Sequence, residues 1–318
     1  MDSLHLEVVG IRDETDRIKT LFLDRADGLP LPAFDAGAHV DLYLPNGMVR
    51  QYSLLNDPAE SGPYVLGVLR ELRSRGGSEW VHQHIETGLV LKAAGPRNNF
   101  PLAQARRHLL IAGGIGVTPM LSMAAALHRL GEDFHRHYCT RSPEQTAYLD
   151  RIAAAGWDGR MALTHDGGDP GQGLDVRALL SHQREGDHVY CCGPAGLMGA
   201  VREASGHWAT GTVHFEWFTP DEIAVPANDR QAFTVVLARS DRVLKVPADA
   251  SIVQVLADNG IVVDTLCEEG ICGTCITNVL EGEPEHHDSV LTDAEKASNR
   301  LMTVCCSRAK GDRLVLDL

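Results

Sequence analysis

Toward the carboxyl end of the chain, Cys267, Cys272 and Cys275 stand in a C-x4-C-x2-C run, and Cys305 follows far behind them. Two irons bridged by two sulfides need four thiolates, and this spacing is one by which a chain holds a [2Fe–2S] cluster. Three of the four thiolates come from the single loop Cys267-Glu-Glu-Gly-Ile-Cys272-Gly-Thr-Cys275. Gly270 and Gly273 suit a backbone folded tightly round such a group, with N–H groups turned toward its sulfurs. The fourth ligand falls in Thr303-Val-Cys305-Cys306-Ser-Arg, where Cys306 rivals Cys305 and spacing alone does not choose. Structural zinc, or free thiols in a core, is the competing reading. Zinc sites usually pair C-x2-C knuckles, and this run does not look like one.

A second set of residues suits phosphates and flat rings. Gly113-Gly114-Ile115-Gly116-Val117-Thr118-Pro119 joins an apolar run to a helical pattern. Glycines there let the backbone approach a pyrophosphate, and the helix start offers free N–H groups. Thr118 and Pro119 are placed to frame a nicotinamide ring. Cys191-Cys192-Gly193-Pro194 ends a later strand, so both turns belong on one sheet edge, where open α/β sheets bind ligands. One of these cysteines is expected to be a buried small hydrophobe and the other to face the nicotinamide.

Arg50-Gln51-Tyr52-Ser53 lies on a predicted strand, where a period of two puts Arg50 and Tyr52 on one side. Arg50 suits a phosphate, Tyr52 an aromatic ring and Ser53 a flavin nitrogen. As a bare string it is weak, and an ordinary surface strand is the better reading. Its weight comes from Arg75-Gly76-Gly77-Ser78, which opens a predicted helix and forms a second anion cradle; Arg70 reads either as added charge there or, equally well, as a solvated surface arginine. The fifteen histidines are scattered, and His286-His287 reads as a surface loop. There is no G-x-S-x-G elbow and no convincing catalytic triad, so hydrolase chemistry has no support.

Three scaffolds are needed to position these groups. Strand patterns at 40–44, 49–55 and 64–69, with a Pro45-Asn46-Gly47 turn, predict a small antiparallel β-barrel. From about Arg107, strands at 108–112, 134–139, 160–164 and 189–192 alternate with helices at 119–130, 144–155, 176–182 and 195–204. That alternation predicts an α/β doubly wound parallel sheet. Residues 219–229 are polar with two prolines and read as a linker. Beyond them lie a hairpin at 233–238 and 243–246 and a helix at 252–258 with Ser251 as its cap. The expected division is a flavin domain at 1–103, a nucleotide domain at 104–222, a linker at 223–231 and a cluster domain at 232–318.

The chain has 318 residues, enough for several cores, and no apolar run near the twenty that span a membrane. Its start, Met-Asp-Ser-Leu-His-Leu-Glu, lacks the basic and apolar regions of a signal peptide. Eight cysteines without a small-domain framework point to a reducing, cytoplasmic setting. A formal net charge of −14 argues against a phosphate backbone as partner. No strongly apolar surface segment stands out, which favours a monomer.

With these motifs in chain order, the sequence resembles the phthalate dioxygenase reductase family, to which vanillate O-demethylase reductase components also belong. The resemblance spans essentially the whole chain. It is carried by the Arg50–Ser53 and Arg75–Ser78 strings, Pro96-Arg-Asn98 with Phe100-Pro-Leu, residues 113–120, 188–194 and 211–216, the cluster cysteines and the terminal Leu314-Val-Leu-Asp-Leu318. The resemblance implies an FMN-binding barrel, an NADH-binding domain and an α+β, β-grasp plant-type ferredoxin domain in one polypeptide. It places the FMN phosphate at Arg75, Gly76, Gly77 and Ser78, with Arg50 on the FMN and Tyr52 and Ser53 lining the isoalloxazine.

Further roles follow from the same likeness. Gly114, Gly116, Val117, Thr118, Pro119, Cys192, Gly193 and Pro194 fall at the dinucleotide, with Thr118 near both flavin and nicotinamide. Phe218 is the aromatic that closes against the flavin face, so Ser53, Thr118 and Phe218 are the expected catalytic positions. Trp217 and Thr219 depart from the small residues expected around it. In the family pattern V-C-x-S-R-A the ligand cysteine matches Cys305, which selects it over Cys306. The likeness favours NADH, with Asp166 as a ribose or adenine-side contact, although Arg141 could pair with the 2′-phosphate of NADPH.

Electron counts give the implied division of labour. NADH delivers a hydride, a [2Fe–2S] cluster takes one electron at a time, and FMN can do both. The implied acceptor is the terminal Rieske non-haem iron oxygenase component that hydroxylates or demethylates an aromatic acid. Residues 233–318 carry eight Lys and Arg against fourteen Asp and Glu, and an acidic face around Glu268 and Glu269 could steer such a partner or simply be solvated. Three rival readings stand beside this one. They are reverse flow from a reduced carrier into NAD+, a stand-alone flavin enzyme acting on a small molecule, and a redox sensor.

Overall fold

Strict alternation of apolar residues builds the first sheet. In Leu4–Thr15 (β1), Leu4, Leu6 and Val8 point inward, and in Ile18–Arg25 (β2) Leu21 and Leu23 join them. His39–Tyr43 (β3), Val49–Ser53 (β4), Tyr64–Leu69 (β5) and Val90–Arg97 (β6) complete six antiparallel strands in the order β4-β3-β6-β1-β2-β5. An antiparallel bridge from Leu54 to Leu66, with Leu55 N donating to Val65 O at 3.0 Å, links the two end strands and closes the barrel. Between β5 and β6, Gly77–His84 (α1) seats Val81 in the barrel core.

The second sheet is wholly parallel. Arg107–Gly113 (β7), Val117–Leu130 (α2), Phe134–Thr140 (β8), Leu149–Ala154 (α3), Met161–His165 (β9), Val176–Leu179 (α4), Asp187–Cys192 (β10), Ala195–Ala204 (α5) and Val213–Glu216 (β11) follow in turn. The strand order β11-β10-β7-β8-β9 starts in the middle and reverses between β7 and β10. Such a reversal opens a crevice at the carboxyl ends of those two strands.

The helix expected at 144–155 is shorter than predicted. Tyr148 takes a left-handed conformation (φ 66°), and α3 starts only after it. The tertiary contact explains the break: the buried Tyr148 hydroxyl accepts a 3.4 Å hydrogen bond from Thr20 of the barrel. The helix expected at 176–182 likewise ends early, at Leu179.

The computed structural model of the chain describes residues 4–71, 76–157, 159–218, 231–265, 268, 270–271 and 273–318. It divides into two compact units, residues 1–216 and 217–318. Both sheets above lie in the first unit, and the expected boundary near residue 103 falls within the segment that joins them. The expected linker at 223–231 lies outside the described residues except for Gln231.

In the second unit, Phe233–Leu237 (β12), Arg242–Val246 (β13), Ile252–Asp258 (α6), Ile276–Glu281 (β14), Pro284–Glu285 (β15), Asp293–Ala297 (α7), Leu301–Thr303 (β16), Arg308–Ala309 (β17) and Arg313–Leu316 (β18) occur in order. The main sheet runs β13-β12-β18-β14-β16, with β12 and β18 parallel, and α6 packs Ile252, Val255 and Leu256 onto its core. This is an α+β, β-grasp arrangement. Ser251 caps α6 as expected, its hydroxyl accepting from Gln254 N while the Gln254 side chain returns to Ser251 N. Among the described residues no helix is long and apolar enough to cross a membrane.

Candidate functional site

The turn after β7 and the turn after β10 meet at the crevice. A Cβ added to Gly116 would collide with the Cys192 carbonyl and stand 2.8 Å from Gly193 N, so only glycine lets these two turns touch. Gly113 packs equally closely under Pro194. Val117, Thr118 and Pro119 are buried at the start of α2, and Thr118 Oγ1 donates back to Ile115 O at 3.1 Å. The Thr118 methyl group lies over Gly67 of β5, and Ser122 Oγ donates to Asn56 O at 2.9 Å. The nucleotide turn is therefore pressed directly against the barrel.

On the barrel side, β4 splits its residues between two faces. Tyr52 packs on the barrel core, where burial raises its hydroxyl above the ordinary phenol value. Arg50 Nη1 donates to Val49 O at 2.8 Å, and a Cβ on Gly77 would stand 2.5 Å from Arg50 Nε. The guanidinium thus lies flat on the first turn of α1, where main-chain N–H groups are also gathered. Ser78 Oγ accepts from Glu71 N at 3.1 Å. Arginine beside a helix start is the donor set an anionic phosphate requires, so these residues fit the FMN phosphate. Arg75 lies outside the described residues.

Ser53 turns the other way and donates to Glu216 Oε2 at 3.4 Å. Glu216 ends β11 directly opposite Cys192. Desolvation pushes the Glu216 carboxyl up to about 8, against a smaller downward pull from the Ser53 hydroxyl. Cys191 and Cys192 are both fully buried, and burial with Glu216 alongside raises the Cys192 thiol well above its ordinary value. Ser53, Cys192 and the half-buried Glu216 thus form a polar corner where the barrel meets the parallel sheet. Glu216 was not singled out from the sequence. Its signal was a carboxylate closing a strand at the ligand-binding edge of the sheet.

Asp166 sits on the same sheet edge, past β9, and is not among the groups gathered at this corner. Its Oδ1 accepts from Gly168 N at 2.8 Å, and its charge helps raise the Cys139 thiol, after burial. Arg141 is exposed, and its carbonyl accepts from Gly167 N at 2.9 Å. Phe218 is half-buried and belongs to the second unit.

In that second unit Cys275 and Cys305 are buried, and the Cys305 thiol lies within hydrogen-bond reach of both Cys275 and Cys306. Cys306 Sγ is 3.2 Å from Thr303 Oγ1 and faces Gly270. Cys267 and Cys272 lie outside the described residues. Soft thiols converging in this way fit an iron–sulfur centre. The surface loop expected at His286-His287 is a correction: each side chain is only 11% exposed. His286 Nδ1 faces Asp288, and His287 Nε2 stands 3.6 Å from Glu285.

Comparison with known proteins places this geometry. Residues 235–310 match the 2Fe-2S iron-sulfur cluster binding domain. The chain is 46% identical to a vanillate O-demethylase oxidoreductase of a Pseudomonas species, over 92% of this chain and 93% of that protein. It is 43% identical to the tert-butanol monooxygenase / tert-amyl alcohol desaturase reductase subunit of Aquincola tertiaricarbonis, over 99% and 96%. The solved structure of phthalate dioxygenase reductase, described as modular for electron transfer from pyridine nucleotides to [2Fe–2S], superposes with a TM-score of 0.76. It is 42% identical and covers 99% of this chain and 98% of its own. The chain therefore belongs to the phthalate dioxygenase reductase and vanillate O-demethylase oxidoreductase family, the oxidoreductase components of oxygenase systems.

Proposed function

We propose that this chain takes electrons from NADH and passes them through FMN and a [2Fe–2S] cluster to the terminal oxygenase component of a two-protein system. The observation that carries the reading is the Ser53–Glu216 contact, where a flavin-type barrel strand meets the ligand edge of a nucleotide-type sheet. When bound, NADH supplies a hydride, FMN exchanges two electrons for single ones, and the cluster carries one at a time.

The chain's own residues bind, orient and exclude water. Arg50, Gly76, Gly77 and Ser78, joined by Arg75, hold the phosphate. Tyr52 and Ser53 line the ring. Gly114, Gly116, Val117, Thr118 and Pro119, with Cys192, Gly193 and Pro194, receive the dinucleotide, and Asp166 takes its ribose or adenine side. With its pKa raised to about 8, Glu216 holds a proton at neutral pH within reach of the Ser53 hydroxyl, so the corner stays uncharged beside the buried Cys192. Phe218 closes against the flavin face. Cys267, Cys272, Cys275 and Cys305 ligate the cluster, Cys305 being chosen over Cys306 by the family pattern and lying within reach of the buried Cys275. The corresponding domains are 1–103, 104–222 and 232–318, with 223–231 as linker.

On the same reading the partner is a Rieske non-haem iron oxygenase acting on an aromatic acid, and the reductase is a cytoplasmic monomer with no nucleic-acid or membrane partner. Anaerobic titration with NADH, followed by absorbance and low-temperature EPR, tests the electron path. The expected result is flavin bleaching together with a rhombic [2Fe–2S] signal. Bleaching with no cluster signal, in protein shown to contain iron and sulfide, would break the path. An NADPH to NADH ratio of kcat/KM well above one would overturn the coenzyme assignment.

A further inference from the structure

Behind the cluster loop the second unit buries a carboxylate that ligation does not explain. The Asp288 side chain is 0% exposed. Burial of an ionised carboxylate is strongly unfavourable unless hydrogen bonds and opposite charge replace water. Here several groups do so. Leu291 N donates to Oδ2 at 2.9 Å, and Ser307 Oγ donates to Oδ1 at 3.4 Å. His286 Nδ1 stands 3.3 Å from Oδ1. Lys296 Nζ, from α7, donates to the Asp288 carbonyl at 2.6 Å and lies 3.8 Å from Oδ2.

Asp288 also touches both stretches of chain that carry ligands. Ser289 N donates to Gly270 O at 3.0 Å, inside the 267–275 loop. Gly270 has φ 73°, and a Cβ there would stand 2.9 Å from Asp288 Cα and 2.5 Å from Cys306 Sγ. The two segments are therefore in van der Waals contact. On the other side, Ser307 follows Cys305 and Cys306, and Thr303 Oγ1 bonds Ser307 Oγ at 3.0 Å. Asp288 thus ties the three-cysteine loop to the segment bearing the fourth ligand.

We propose that Asp288 is a positioning residue of the [2Fe–2S] centre, bracing both ligand-bearing segments and lowering the cluster's reduction potential with its buried negative charge. The proposal rests on the cluster reading above. Reduction adds an electron to the centre, so a fixed negative charge at short range in a medium of low dielectric disfavours the reduced form. Asp288→Asn keeps the size and one acceptor oxygen but deletes the charge. Lys296→Gln, at a partly exposed position, deletes the compensating positive charge instead and leaves the carboxylate in place. The two changes act on the potential in opposite directions, which a purely structural role would not produce.

The test is an EPR-monitored redox titration of wild type, Asp288→Asn, Asp288→Glu and Lys296→Gln, each with iron and acid-labile sulfide counted. Asp288→Asn is expected to favour the reduced cluster about tenfold, a rise of ~59 mV for one electron. Lys296→Gln is expected to move it downward, and Asp288→Glu to remain near wild type. If Asp288→Asn fails to retain its cluster, Lys296→Gln alone decides by the direction of its shift. Cluster-loaded variants with unmoved potentials overturn the proposal and leave the cluster reading intact. Wild-type protein without iron, sulfide or a signal removes the cluster reading and this proposal with it.

Discussion

The flavin–nucleotide corner and the cluster loop solve the same problem in opposite ways. At the corner, Ser53, Cys192 and Glu216 come from β4, β10 and β11 and meet only because two sheets pack together. At the cluster, three expected ligands fall within one loop of nine residues, and only Cys305 comes from elsewhere. A site of the first kind depends on packing between distant elements. A site of the second kind depends on a short stretch of backbone and on whatever braces it.

The largest expected contrast comes from the cluster. Cys305→Ser should abolish cytochrome c reduction and acid-labile sulfide while leaving NADH-driven ferricyanide reduction at the flavin near wild type. Cys306→Ser should keep the cluster. Loss of both electron acceptors together in Cys305→Ser would show that the two sites are not separable.

Next in size is Gly116→Ala. The added methyl has only the Cys192 carbonyl and Gly193 backbone to push against, so relief requires β7 and β10 to move. We expect a loss of about 3 kcal/mol in urea unfolding of the first unit, the upper range for overpacking. NADH kcat/KM should fall, and the [2Fe–2S] signal should be unchanged.

Glu216→Gln should act through pH. The carboxyl pKa rises from 4.5 to about 8 on folding, so between those values the native state holds one proton more than the unfolded state. Its stabilising effect is full below 4.5 and is lost as pH rises through 8, at most ~1.4 kcal/mol per pH unit. Gln removes that slope, and urea unfolding at pH 5 and pH 8 should bring the variant's two midpoints closer together than wild type's. Equal slopes would mean that the corner is wetter than its geometry indicates.

Gly77→Ala should be the mildest. Its methyl meets the flexible end of Arg50, which can swing aside, so folding should be little affected. FMN should bind about tenfold more weakly, ~1.4 kcal/mol, because the guanidinium leaves the helix start. Fluorescence titration of the flavin-free protein measures it.

Much of this molecule was legible in one dimension wherever the cause was local. The strand Tyr64–Leu69, the helix Ala195–Ala204 and the Ser251 cap of α6 follow from period-two and period-3.6 patterns and from a hydroxyl at a helix start. The same holds for the C-x4-C-x2-C run and for both glycine turns, because a spacing fixed by ligand or backbone geometry survives in the sequence. Tyr148 breaking α3 was not legible, since its cause is Thr20 of the barrel. Nor was the burial of His286 and His287, which read as a surface pair in the sequence and stand in the fold beside Asp288 and Glu285.

The sequence by itself thus determined the kinds of chemistry on offer: a C-x4-C-x2-C run suited to a cluster, and two glycine-rich turns suited to nucleotides. Tertiary structure decided which groups share an environment. It set Glu216 against Ser53 and Cys192, and it sealed Asp288 between the two cluster-bearing segments. Burial and partnership are properties of space between elements. Desolvation and charge pairing, which set the behaviour of these carboxyls, arise only when residues distant in sequence exclude the same water.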